Sequence, residues 1–275
     1  MLPQTPKDMV SSFASIGHEL GDPPELVEIL TKSLSPELLK VEVGQDKMTG
    51  LLRYEYGNPL TNVAGRRVWG THQLPEPWQL YVAVRAANRY LGRSDLAEYL
   101  SRLKDINKHS DALLEMRPVG HLPPNAKVDY EVPGRKNRRI DWRVRIGFVK
   151  VVFDVKNRVK GAINHFADIV AELEKGNRSP PVPKTDPEAF FRSTEIKFRQ
   201  NFSPLILQGV WTHVHIKESS AVLEQYFRKN VNRFRIDFLI IAGWTDECYI
   251  LARSSRQKDL IKRLFGLKET MNFVF

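Results

Sequence analysis

The chain has 275 residues, of which 42% are hydrophobic and 10% aromatic, as is typical of a globular protein with a substantial core. No segment is long and apolar enough for a membrane span, and the first residues lack the apolar stretch of a secretory signal. The single cysteine, Cys248, excludes an internal disulfide and a thiolate zinc cluster and fits a cytoplasmic protein. The net charge of +10 favours a polyanionic partner. Since no segment could span a membrane, no membrane partner is expected.

Residues 1–92 are predicted to form an accessory region that is mainly helical. Helical patterns begin at Pro24, at Ser35 and at Pro77, and the second places Pro36 in the first turn, where its missing N–H is tolerated. The region contains no recognisable catalytic motif. Its role could be either to pack against the rest of the protein or to contact the substrate.

Residues 93–275 are predicted to form the second domain. Asp95 and Glu98 have the spacing of a capping box at the start of its first helix. Apolar periodicity then predicts helices at 112–116, 162–173, 188–200 and 221–227, and strands at 128–132, 138–146, 148–156, 205–216 and 236–242. A helix, three strands and then alternating helix and strand indicate an α/β fold with a mixed central β-sheet flanked by helices.

The two strands at 138–146 and 148–156 carry the most informative pattern. Because successive side chains of a strand point to opposite faces, Asp154 and Lys156 share the face opposite to the apolar residues Val149, Val151, Phe153 and Val155. In the preceding strand, Asp141 lies opposite to Ile140, Trp142, Val144 and Ile146. If the strands pair across a turn at Gly147, two carboxylates and one ammonium group meet on one surface. We expect that surface to face solvent.

The charge around these residues is strongly basic. Between Arg135 and Lys160 there are ten Lys or Arg residues and only two acids, Asp141 and Asp154. Two isolated carboxylates in a cationic stretch fit metal binding on a phosphate-binding face, and the alternative is a solvated strand pair with two ion pairs. The candidates for nucleic-acid contact are Arg138, Arg139, Arg143, Arg158 and Lys160.

The order of a helix glutamate, a strand aspartate and an Asp-x-Lys strand resembles the PD-(D/E)xK nuclease superfamily, which has the restriction-endonuclease-like fold. The resemblance extends over about residues 95–245 and rests on four positions: Glu115, Asp141, Asp154 and Lys156. It implies cleavage of nucleic acid with Mg²⁺ or Mn²⁺. Two positions depart from the family pattern, since Ile140 replaces a proline before the first aspartate and position 154 is Asp rather than the commoner Glu.

The resemblance also implies a role for each of the four residues. Asp141 and Asp154 would be metal ligands, and Glu115 would hold a second ion or a water of the first. Lys156 would position the attacking water and stabilise the phosphate in the transition state. A second acid-x-Lys match, Glu195-Ile196-Lys197, lies in a segment of helix formers, and we interpret it as an exposed helical pair.

These observations favour a metal-dependent endodeoxyribonuclease. DNA is preferred through the resemblance alone, so RNA stays open as a substrate. A homodimer and a larger nucleoprotein assembly are both open as the assembly state. One alternative is a non-catalytic nucleic-acid-binding protein with the same fold. Another is a subunit of an assembly in which the two acids form structural ion pairs with Arg143 or Arg145. The absence of a Gly-rich phosphate loop, of a His-Glu-x-x-His helix and of nucleophile signatures argues against ATP-driven motors, zinc proteases and acyl transferases.

Overall fold

The computed structural model describes residues 6–32, 41–45, 52–56, 59–63, 66–69, 77–105, 108–120, 122–123, 125–157, 186–201, 203–213, 217–242 and 247–269. The described chain divides into two compact units, one between residues 6 and 120 and the other between residues 122 and 269. None of the described helices combines the length and the apolar character that crossing a lipid bilayer requires. The domain boundary predicted after residue 92 stays a prediction.

The first unit is built mainly from helices. Their bounds are α1 Pro6–Leu20, α2 Pro24–Lys32, α3 Pro77–Tyr90, α4 Arg93–Lys104 and α5 His109–Met116. Helix α3 packs against α1, α2 and α5, and its Leu80, Val84 and Ala87 are fully buried. The helices predicted from Pro24 and from Pro77 are confirmed, whereas the one predicted at Ser35 lies outside the described residues.

Two details of this unit differ from the sequence-based expectation. The described residues contain two short antiparallel hairpins, which the pattern did not predict: β1 Val41–Gln45 with β2 Leu52–Tyr56, and β3 Pro59–Val63 with β4 Arg66–Trp69. The prediction of a capping box at Asp95 is wrong, because α4 already begins at Arg93, two residues before Asp95. Gly92 is its N-cap and no side chain caps the helix, so Asp95 instead lies in the first turn.

The second unit has a mixed sheet with helices. Its strands are β5 Lys127–Pro133, β6 Arg139–Ile146, β7 Val149–Asn157, β8 Ile206–His213, β9 Phe238–Ala242, β10 Glu247–Ala252 and β11 Lys268–Glu269. Its helices are α6 Pro187–Glu195, α7 Lys217–Asn230 and α8 Ser255–Leu264. Among the described residues the sheet order is β11-β10-β9-β8-β7-β6-β5. Strands β5, β6 and β7 form an antiparallel meander, whereas β7, β8 and β9 run parallel, so the predicted mixed α/β architecture is confirmed.

The hairpin of β6 and β7 follows the predicted alternation. Its register pairs Trp142 with Phe153, and these two side chains are fully buried. The turn between the strands contains Gly147 with a φ of 58°, a backbone conformation that other residues rarely adopt. The next residue, Phe148, is 92% exposed at the tip of the hairpin.

Apolar side chains cover both faces of the sheet around β8. On one face, Phe265, which follows α8, lies edge-on to Phe153 and Trp211 with ring centroids 5.4 and 5.6 Å away. On the other, side chains from α6 and α7 pack with residues of β8, β9 and β10 in one buried cluster, which includes Phe190, Phe191, Val210, Leu223, Phe227, Leu239 and Leu251. The acids of β6 and β7 therefore lie at the border of a well-packed core.

A close approach between β8 and β9 fixes one position in this core. Gly209 pairs with Phe238, and a Cβ atom at residue 209 would lie 2.5 Å from three carbons of the Phe238 ring. Because that distance is well inside van der Waals contact, only glycine leaves room for the ring.

Candidate active site

The candidate site lies where the pairing of β6 and β7 ends. The last paired residues are Trp142 and Phe153, and one further step of that register, beyond the observed pairing, would set Asp141 opposite Asp154. Residues opposite each other in antiparallel strands have side chains on the same face, with Cβ atoms about 4.5–5.5 Å apart. Lys156 shares that face because it lies two residues beyond Asp154.

Asp141 bonds the main chain of β7. Its Oδ2 atom accepts a hydrogen bond of 2.6 Å from the Val155 amide. Strand β7 continues beyond this point along β8 as far as Asn157, whereas its register with β6 has already ended. The carboxylate thus takes the place of a strand carbonyl at a fork between β6 and β7, next to Asp154. Asp141 itself is partly exposed at this fork.

Asp154 is buried and held by two lysines. Its exposed fraction is 0%, while the side chains of Lys156 and Lys197 keep 26% and 19% exposure. Lys197 Nζ donates a hydrogen bond to Oδ1. Oδ2 lies 3.0 Å from Lys156 Nζ, but this ion pair lacks hydrogen-bond geometry, so Oδ2 accepts no hydrogen bond from the described residues. Both oxygens of this buried carboxylate therefore face an ammonium group.

This burial corrects one expectation about the site. The sequence pattern led us to expect both acids to face solvent, but the side chain of Asp154 is enclosed by the sheet and by the two ammonium groups. The strand alternation predicts the face on which a residue lies but not what covers that face. Solvent reaches the cluster through the partly exposed Asp141, Lys156 and Lys197.

Lys197 is the residue that sequence reasoning missed. The segment 195–197 was interpreted as an exposed helical pair, and this is wrong: α6 ends at Glu195, whose Oε1 accepts a hydrogen bond from the Arg235 amide. Lys197 follows the helix and reaches Asp154 across 43 residues of sequence. The only sequence signal for Lys197 was the repeated acid-x-Lys motif. The prediction of a helix as far as residue 200 hid its role, because α6 in fact ends at Glu195.

Glu115 lies in the first unit. It is on α5 and forms an ion pair with Arg102 of α4, and its side chain keeps 15% exposure. Because Asp141, Asp154 and Lys156 belong to the second unit, the role of Glu115 beside them stays a prediction.

The basic candidates on β6 are largely paired with acids of β5. Arg139 pairs with Glu131 at 2.9 Å, and Arg143 pairs with Asp129 at 2.7 Å. Arg145 also pairs with Asp129, so the expectation that Asp154 would pair with Arg143 or Arg145 is wrong, since its partners are lysines. Arg138 is exposed, whereas Arg158 and Lys160 lie outside the described residues.

The carboxylates that could hold a metal ion are few. Within the described residues, no group of three or more His, Cys, Asp or Glu side chains is close enough to bind one ion. Mg²⁺ is nevertheless commonly bound through one or two carboxylates and keeps several waters. The pair of Asp141 and Asp154 fits that donor set in kind, and Oδ2 of Asp154 offers a buried lone pair.

Comparison with known proteins adds no family assignment. No protein-family model matches the chain, and neither a curated protein nor a solved structure matches it.

Proposed function

We propose that the protein is a Mg²⁺- or Mn²⁺-dependent endodeoxyribonuclease of the PD-(D/E)xK type. The observation that carries the proposal is the fork itself. Asp141 lies just beyond the last β6–β7 pair, Trp142 with Phe153, and accepts a hydrogen bond from the Val155 amide, next to Asp154, while Lys156 Nζ is 3.0 Å from Asp154. Phosphodiester hydrolysis with a divalent ion needs oxygens to hold the ion and a cation close to the attacking water, and these three residues supply both.

The order of elements supports a restriction-endonuclease-like fold for this unit. The antiparallel meander of β5, β6 and β7 comes first in this unit, and β8 then lies parallel to β7. The two acids are on the second and third strands of the meander, as the resemblance noted above requires. Strands β9, β10 and β11 extend the sheet beyond β8.

Each residue of the fork has a distinct task in the proposed reaction. Asp141 and Asp154 would hold the ion, which when bound makes the attacking water more acidic and draws negative charge from the phosphate. Lys156, oriented by its ion pair with Asp154, would hold the water in line with the leaving oxygen and balance the charge of the transition state.

The substrate class follows from charge. The net charge of +10 and the exposed Arg138 beside β6 favour a phosphate backbone as the partner. DNA rather than RNA is proposed through the family resemblance.

A non-catalytic nucleic-acid-binding protein or assembly subunit is the second candidate, and one observation favours it. Asp154 is fully buried and compensated by two ammonium groups, as in an ion cluster whose role is structural. This candidate predicts binding that is insensitive to Mg²⁺ and no cleavage.

Cleavage assays separate the two candidates. Purified protein is incubated with supercoiled plasmid, single-stranded DNA and RNA in Mg²⁺, Mn²⁺ or EDTA, alongside Asp154→Ala and Lys156→Ala. The matched controls are Asp129→Ala and Lys150→Ala, which remove the same charges from β5 and from the other end of β7. Metal-dependent cleavage that is lost in the two site variants and kept in the two controls supports the nuclease. A wild-type protein that binds nucleic acid but cleaves no substrate with either metal refutes it.

A further inference from the structure

A second ammonium group belongs to the candidate site. Lys197 donates to Oδ1 of Asp154, while Lys156 lies beside Oδ2, so the two lysines hold opposite oxygens of one buried carboxylate. The family pattern used above assigns a single lysine, and it leaves Lys197 without a function.

The main chain on either side of Lys197 is anchored. Its carbonyl accepts a hydrogen bond of 2.8 Å from the Arg135 amide in the turn between β5 and β6, and the next residue, Phe198, is fully buried in the core cluster. These contacts fix where the side chain starts. The ammonium group is at the far end of a flexible four-carbon stem that keeps 19% exposure.

Charge explains why this ammonium group matters. The carboxylates of Asp141 and Asp154 carry two negative charges, and Lys156 and Lys197 carry two positive charges, so these four side chains sum to zero. A divalent ion at the carboxylates would add two positive charges close to both ammonium groups. Like charges at such distances repel strongly in a buried site, so an ion and Lys197 compete for Asp154.

We infer that Lys197 is a further functional residue of the site, with two alternative partners. Without a divalent ion its ammonium group neutralises Asp154, and when an ion takes that carboxylate the ammonium group moves to a phosphate of the nucleic acid. The inference rests on the proposed nuclease function, because the same ion brings about both.

The first test measures ion binding without catalysis. Binding of Mn²⁺ to the full-length protein is followed by electron paramagnetic resonance for wild type, Lys197→Met and Lys150→Met. Removing the competing ammonium group should tighten binding about tenfold, the factor that corresponds to one charge-assisted hydrogen bond of about 1.5 kcal/mol. Lys150 is the matched control because it lies on the same strand and face as Asp154 but at the other end of β7, and its replacement should leave Mn²⁺ binding unchanged.

The second test measures the phosphate contact. Binding to duplex DNA is titrated against salt in Ca²⁺, used as a divalent probe, and in EDTA. In Ca²⁺, Lys197→Met should reduce the slope of log K against log[salt] by about 0.9, which is the loss of one phosphate contact. In EDTA the slope should equal that of wild type, because Lys197 is then held by Asp154. A purely structural lysine would not change the slope with the ion present.

Each outcome decides a separate point. Mn²⁺ binding that is unchanged or weaker in Lys197→Met, or tightened equally in Lys150→Met, overturns the inference. If Lys197→Met does not fold, Lys197→Arg replaces it: the retained charge should keep Mn²⁺ affinity near that of wild type, and a tenfold gain overturns the inference. Wild-type protein that binds Mn²⁺ as expected but cleaves nothing refutes the nuclease and leaves the competition for Asp154 standing. If neither wild type nor Lys197→Met binds Mn²⁺, both proposals fail.

Discussion

Replacing Asp154 with asparagine should destabilise the protein, and the structure sets the size of the effect. Removing one partner of a fully buried ion pair costs about 3–5 kcal/mol, because the other charge is left without compensation. Here the carboxylate is fully buried, but the lysines keep 26% and 19% exposure and can be rehydrated. We therefore expect Asp154→Asn to lower the free energy of unfolding by about 2–3 kcal/mol.

Urea denaturation followed by tryptophan fluorescence measures this, since Trp142 and Trp211 are buried in the sheet. Asp129→Asn is the matched control. Asp129 also pairs with two cations, Arg143 and Arg145, but its side chain is 32% exposed, so its loss should cost less than about 1 kcal/mol. An Asp154→Asn variant no less stable than the Asp129→Asn control would refute the buried two-lysine cluster.

Four other predictions follow from contacts described above. Asp141→Asn should weaken Mn²⁺ binding at least about tenfold in a titration, since loss of a residue behind the ligands already costs that much, while its amide oxygen still accepts the Val155 hydrogen bond and keeps the fold. Gly147→Val should lower the free energy of unfolding by about 1–2 kcal/mol in urea, because φ is positive there. Phe227→Ala should lower it by about 3–5 kcal/mol, since the ring is in the core cluster; a loss below 1 kcal/mol would contradict that packing. Tyr81 lies on α3 and is fully buried. This burial, followed by the charge of Asp22, raises the pKa of Tyr81 from 10.0 to about 12, so the folded protein keeps a proton that the unfolded chain releases. Stability should therefore fall as pH rises from 10 to 12, and thermal melts of Tyr81→Phe should show a smaller fall.

The hairpin that carries the acids could be predicted because its signals are local. Alternation of apolar and polar residues along β6 and β7 predicted the two faces, and Gly147 predicted the turn. The pairing of Trp142 with Phe153 then leaves Asp141 and Asp154 as the next residue of each strand. These features depend on neighbours within about a dozen residues, and short-range pattern reading is suited to that scale.

The partners of Asp154 and of the basic residues could not be predicted in the same way. Lys197 reaches Asp154 only because α6 ends at Glu195 and the chain turns back toward β7. The pairing of Asp129 with Arg143 depends on the register of β5 with β6, which positive φ values at Glu131, Lys136 and Asn137 accompany. Such long-range contacts depend on packing, which a single sequence pattern does not encode.

The contact between Gly209 and Phe238 implies that the side-chain sizes at these two positions of β8 and β9 depend on each other. The ring fills the volume that a side chain at residue 209 would need. A sequence variant with a larger residue at position 209 should therefore be viable only with a smaller one at position 238. Comparing such variants at these two positions would reveal whether the strands have kept this alignment through divergence.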